Sequence, residues 1–183
     1  MKPSDIDPDW TQPGVLWAYY ERSVAALVAA SAAIRAGTAV VAPDSPFFGL
    51  TPTEADELFR ETRSELDRSV TLLLTASFEA GLKTDLIFRL SNRKDPFHTK
   101  LSTLFPPPAT KLRLLDLLDF WKAEVGRPHR VGAFRRLLKH RHWMAHGRYW
   151  VLKAGPWIDP VEAWRIGKSL FDVLPGFPRL PAT

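Results

Sequence analysis

The feature that most constrains the fold is an unbroken amphipathic stretch beginning at Thr51-Pro52-Thr53-Glu54 and running to Leu90. Its opening reads as a helix start. Thr stands at the N-cap, Pro takes the first helical position where an N–H is not needed, and Glu three residues on completes a capping box. The stripe then runs through Leu58, Phe59, Thr62, Leu66, Val70, Leu73, Leu74, Phe78, Leu82, Leu86 and Leu90, interrupted by neither Pro nor Gly except Gly81. This predicts a helix of about 38 residues, or about 57 Å at 1.5 Å per residue. An apolar stripe of that length must be covered by other elements.

The rest of the chain supplies those elements as shorter helices. From Gly14 to Arg35, Leu16, Tyr20, Val24, Leu27 and Ile34 recur at helical spacings, and Gly37 is placed to stop the helix. The turn-rich segment Ala42 to Leu50 leads into the long helix. Ser91 to Thr110 carries Pro96, Pro106, Pro107 and Pro108, so it holds at most a short helical turn around His98 to Leu104. Lys111 to Val125 and Arg130 to His146 are predicted helices, closed by Gly126 and Gly147. The last helix is announced by Asp159-Pro160-Val161-Glu162, a second capping-box pattern, and ends before Pro175. Apart from Tyr149 to Lys153, no alternating strand pattern of useful length occurs, and there is no repeat and no Gly-rich phosphate loop. The expected fold is an all-α bundle of about five helices around one long central helix. A chain of 183 residues fits one domain. Its bounds are expected at 14–174, with an N-terminal arm at 1–13, anchored if at all by Trp10, and a tail at 175–183.

Composition narrows the chemistry. Zero cysteines exclude a disulfide framework, a thiolate nucleophile and any zinc site built on Cys, and they fit a reducing cytoplasm. The longest apolar stretch, Val24 to Ile34, is about half of a membrane span. Asp5, Asp7, Asp9 and Glu21 stand where a signal peptide would be basic. A soluble, cytoplasmic protein is expected. The net charge of +5 is localised: Gly126 to Ile158 contains no Asp or Glu but eight Lys or Arg, while the other 150 residues hold 17 basic and 20 acidic groups. Four of the five histidines, His129, His140, His142 and His146, lie in the same segment.

At the centre of that segment, His142 and His146 are one helical turn apart on one face, Arg141 is adjacent, and Tyr149 follows His146 by three. Arg offers a planar fork of donors that matches phosphate, and imidazole, titrating at about pH 6.5 when unperturbed, can take or give a proton at neutral pH. These are the parts for phosphodiester cleavage. RNA needs no metal for it, since the 2′-OH attacks the neighbouring phosphorus once a base removes its proton and an acid protonates the leaving 5′-oxygen. The alternatives are a structural pair at a helix end, where the dipole favours His, and a zinc site on His142 and His146, which lacks both a HExxH pattern and a nearby carboxylate. His140 reads as plain surface. The basic run reads as an RNA-attracting rim, with Arg136, Lys139 and Arg148 as phosphate contacts. Trp143, Tyr149, Trp150 and Trp157 are either stacking platforms or core and interface residues. Glu79 lies off the apolar stripe of the long helix and either holds an Arg of the basic motif or pairs with Lys83.

The string Arg141-His142-Trp143-Met144-Ala145-His146 resembles the R-x(4 to 6)-H motif of the HEPN superfamily, in its four-residue form and with a polar residue directly after the Arg. Its place near the end of a late helix in an all-α chain is also similar. The wider string RHWMAHGRYW, together with Ala76-Ser77-Phe78-Glu79-Ala80, resembles the RiboL-PSP-HEPN branch; the likeness covers roughly Leu66 to Trp150. It implies a HEPN-like helical bundle that dimerises with two motifs facing one cleft, and a metal-independent, cofactor-free endoribonuclease of toxin, antiphage or RNA-processing systems. Arg141 would then stabilise the phosphorane, His146 would act as acid or base, and His142 would orient the phosphate or its partner His. Arg148, Tyr149, Arg136, Lys139 and Glu79 would line the substrate. The implied partners are RNA, a second copy of the chain and an antitoxin or immunity protein. Toxins of the branch paired with nucleotidyltransferases carry His-x-Tyr as a modification target, whereas this chain has His146-Gly147-Arg148-Tyr149.

Overall fold

The structure is a computed structural model that describes residues 12–106, 113–146 and 157–177. The described residues form an all-α bundle of six helices: α1 (Pro13–Arg35), α2 (Pro52–Ser91), α3 (His98–Leu104), α4 (Leu114–Val125), α5 (Pro128–Ala145) and α6 (Pro160–Phe171). The helix beyond the expected five is α3, seven residues long, where the sequence allowed only a short turn. Pro13, assigned from sequence to the arm, already belongs to α1 and is buried. Trp10 and the Tyr149 to Lys153 pattern lie outside the described residues. No described helix is long and apolar enough to cross a membrane.

The long helix α2 spans 40 residues and starts as the sequence dictates. Thr51 Oγ1 accepts from the Glu54 backbone N–H, and Glu54 Oε2 accepts from the Thr51 N–H at 2.8 Å. Its second half is the spine of the core: Leu74, Phe78, Leu82 and Leu86 are fully buried, with α5 and α6 against them. Phe78 meets Phe134 of α5 and Phe171 of α6 edge-on, at 6.4 and 5.2 Å between ring centroids. The approach of α6 requires Gly167, because a Cβ there would lie 2.1 Å from Phe78 Cε2. Leu73, assigned to the stripe from sequence, is exposed instead.

The first half of α2 pairs with α1. Of the 23 residues of α1, only Pro13, Trp17 and Tyr20 are buried. Trp17 stacks on Trp164 of α6 at 5.3 Å, and the Tyr20 hydroxyl donates to Asp67 at 2.9 Å while accepting from Arg63. At the other end the two helices are held by an exposed Arg35–Asp56 ion pair at 2.7 Å.

Arg89, near the end of α2, is a buried node. Its Nε donates to Asp85 at 2.8 Å and Nη1 to Asp95 at 3.2 Å, while Nη2 donates to the Pro175 carbonyl. Its guanidinium also lies over Trp121 of α4, 5.0 Å from the ring centroid. One side chain therefore ties α2, the loop before α3, α4 and the residues after α6. Pro175, read from sequence as the start of a tail, is part of this node. At the start of α6, Asp159 caps the Glu162 N–H at 2.8 Å, but the Glu162 carboxylate turns to Arg165 instead of closing a capping box.

Candidate functional site

The helix α5 places most of the predicted site. Gly126, in the left-handed conformation at φ 61°, ends α4, and Pro128 at the first helical position of α5 sets the new direction. Val131, Phe134 and Leu137, three residues apart, are fully buried. The opposite face carries exposed Arg136, Lys139 and His142, and exposed His146 follows as the C-cap. His142 and His146 come together as the i,i+4 spacing predicts, with ring centroids 4.2 Å apart and planes tilted by 58°.

Arg141 sits elsewhere. Five residues correspond to about 140° around a helix axis, which turns Arg141 away from His146 and towards α2. Its Nε lies 3.9 Å from Glu79 Oε1. That distance makes an ionic contact and no hydrogen bond, and the buried Nε has no hydrogen-bond partner among the described residues. The side chain remains 36% exposed, against 17% for Glu79. Of the two partners the sequence offered Glu79, the structure gives it the Arg of the motif. Arg148 and Tyr149, the other two predicted substrate contacts, and Trp150 lie outside the described residues.

Among the described residues, the basic run does not form one rim. Arg130 Nη1 donates to the Ser169 carbonyl of α6 at 2.7 Å, and Arg135 pairs with Asp119 of α4 at 2.6 Å. Arg136 contributes to holding the Glu162 carboxyl below the usual range, behind the larger effect of Arg165. The missing acids are supplied by neighbouring helices. A sequence window counts charge along the chain and cannot see carboxylates arriving from α2, α4 and α6. Among the described residues, this face presents Arg136, Lys139 and the imidazole pair to a ligand, with Arg141 around the corner.

His140, expected at the surface, is 1% exposed. It continues the buried series Val131, Phe134, Leu137 by another step of three, which is the signal in the sequence that marks it. Its ring stacks on Trp143 at 5.7 Å and meets Trp157 edge-on at 4.8 Å. Burial pushes its pKa below the ordinary imidazole value, so it is neutral at pH 7, and neither ring nitrogen has a hydrogen-bond partner among the described residues. Trp143 is half-buried in this aromatic group, whereas Trp157 is 44% exposed.

The described residues contain no group of three or more His, Asp or Glu that could hold a metal ion. Comparison with protein-family models, curated proteins and solved structures finds no match to this chain.

Proposed function

We propose that this protein is a metal-independent endoribonuclease of the HEPN type, cutting single-stranded RNA by 2′-OH attack to leave a 2′,3′-cyclic phosphate. The observation that carries the reading is the exposed His142–His146 pair at the end of α5, with Lys139 and Arg136 behind it on the same face. A neutral imidazole takes the 2′-OH proton, an imidazolium protonates the leaving 5′-oxygen, and a guanidinium stabilises the doubly charged phosphorane between them.

The geometry of the pair also bears on oligomeric state. In-line displacement puts attacking and leaving oxygens on opposite sides of phosphorus, so base and acid must flank it. Two rings 4.2 Å apart on one helix end reach the phosphate from one side. A second copy related by a two-fold axis beside α5 brings the complementary imidazole, and Arg141 then grips the phosphate by leaving its loose contact with Glu79. The protein is accordingly read as a homodimer with RNA as its ligand, acting in a toxin or antiphage setting, with an antitoxin or immunity protein as a further partner. The test is RNA cleavage in EDTA by the wild type and by His146→Ala and Arg141→Ala, with end-group analysis of the product.

A second reading has its own observation. Arg141 faces Glu79 rather than the histidines, which favours a HEPN-like module that binds RNA or a protein through this face without cutting. Salt-sensitive RNA binding with no cleavage, unchanged by His146→Ala, is its signature.

A further inference from the structure

The basic segment of the sequence is not the only place where guanidinium groups gather. Along the first half of α2, Arg60, Arg63 and Arg68 follow one another over about 12 Å of rise. They line a hollow of about 320 Å³ together with Ser64, Asp67 and Trp157. Its arginines are shared with two neighbouring hollows. Arg60 and Arg63 also line a groove of about 600 Å³ between α1 and α2. Arg68 also lines a smaller hollow of about 120 Å³ that reaches Met144, one helical turn after Arg141 on the side of α5 that faces α2.

The chemistry of the central hollow favours an anion with a flat group beside it. Its charged lining is three Arg against Asp67, and Asp67 is already engaged by the Tyr20 hydroxyl and Arg63 Nε. Arg60 is largely exposed, and its contact with Glu57 is long, at 3.5 Å. Arg68 contacts Glu65 through Nη1 alone. A guanidinium has five N–H donors, so each of the three keeps donors for a phosphate oxygen. Trp157 adds what a plain anion would not need: an indole 44% exposed at the rim of a guanidinium-lined hollow, steadied by edge contacts with His140 and Trp143. Guanidinium groups along a groove with an aromatic platform are the pattern for an unpaired nucleic-acid strand.

We propose that this groove binds single-stranded RNA, its phosphates on Arg60, Arg63 and Arg68 and one base stacked on Trp157, and leads the strand to the Arg141 side of α5. The choice of ligand rests on the endoribonuclease reading. Binding is measured on the full chain carrying His146→Ala, by fluorescence anisotropy of a fluorescein-labelled oligouridylate over a series of NaCl concentrations. Arg60→Ala/Arg68→Ala weakens binding about tenfold and lowers the slope of log affinity against log salt by about 1.4, the value for two single-strand phosphate contacts. Lys94→Ala/Lys122→Ala, the same charge change away from the groove, leaves the slope unchanged. Trp157→Leu weakens binding about tenfold and Trp157→Tyr restores most of it, since a phenol ring still stacks; circular dichroism melts check that each variant is folded. The proposal is overturned if Arg60→Ala/Arg68→Ala binds with wild-type affinity and slope. It is also overturned if inorganic polyphosphate competes as well as the RNA and Trp157→Leu has no effect, which marks a polyanion site without base recognition. Separately, cleavage by the otherwise wild-type chain that survives His146→Ala and Arg141→Ala defeats the catalytic reading and leaves the groove standing. Cleavage that needs both residues, with KM unaltered by Arg60→Ala/Arg68→Ala, defeats the groove alone.

Discussion

Replacing Glu79 with Gln asks whether Arg141 is held for structure or rests beside Glu79 until a phosphate arrives. Unit charges about 4 Å apart attract by about 4 kcal/mol at an effective dielectric of about 20. That gross figure does not survive here, because Arg141 is 36% exposed and its Nε makes no hydrogen bond to the carboxylate at 3.9 Å. Loose, partly exposed pairs retain about 0.2–1 kcal/mol net. Glu79→Gln is therefore expected to lower the unfolding free energy by about 1 kcal/mol or less. A resting contact that must be broken before Arg141 binds phosphate opposes catalysis by the same amount. Its removal raises kcat/KM for RNA cleavage by up to about fivefold, since about 1.4 kcal/mol is a factor of ten in rate. Urea melts and initial rates at low substrate measure both quantities. A stability loss of several kcal/mol, or a fall in kcat/KM of more than about tenfold in a folded protein, refutes the reasoning, because Glu79 would then fix Arg141 in its working position.

Three further predictions concern the frame around the site. Gly167→Ala drives a methyl group to within 2.1 Å of the fully buried Phe78 ring, so thermal and urea melts should show destabilisation of about 1–3 kcal/mol. Arg89→Met leaves the largely covered Asp85 and Asp95 without their cation and is expected to cost about 3 kcal/mol in the same assay. Because burial depresses the His140 pKa in the folded protein, the unfolded chain binds that proton first. The His140 contribution to stability is thus complete above about pH 6.5 and is lost progressively as pH falls below it. His140→Phe should flatten that part of the stability curve between pH 7 and 5, and an unchanged slope would show that His140 is not the group responsible.

Much of the frame was legible because local rules and tertiary packing agree. The Thr51-Pro52-Thr53-Glu54 start and the Gly126 stop are each fixed by interactions within a few residues and are realised, and the stripe of α2 is buried at Phe59, Val70, Leu74, Phe78, Leu82 and Leu86 but not at Thr62 or Leu73. The His142–His146 contact was legible for the same reason, since i,i+4 spacing on a helix decides it. What the sequence concealed depends on partners distant in the chain. Arg130 and Arg135 looked like part of a free basic rim until α6 and α4 supplied their acceptors. Arg141 was grouped with His146 by its place in a motif, although the helical angle between them directs it to Glu79. His140 was readable from its three-residue step beyond Leu137, but its polarity argued for the surface, and only the Trp143 and Trp157 rings explain its burial. The Arg60, Arg63 and Arg68 groove was hidden because the stretch from Glu54 to Arg68 holds six acidic residues and has a net negative charge, although of those acids only Asp67 lines the hollow with the three Arg.

The most direct test of the central claim is cleavage of a single-stranded RNA in EDTA by purified wild type, His146→Ala and Arg141→Ala, all with matched melting curves. The wild type is expected to cut and leave a 2′,3′-cyclic phosphate, and each variant to lose about a hundredfold or more in rate. Wild-type protein that binds the RNA without cutting it, or cutting that persists in both variants, would contradict that claim.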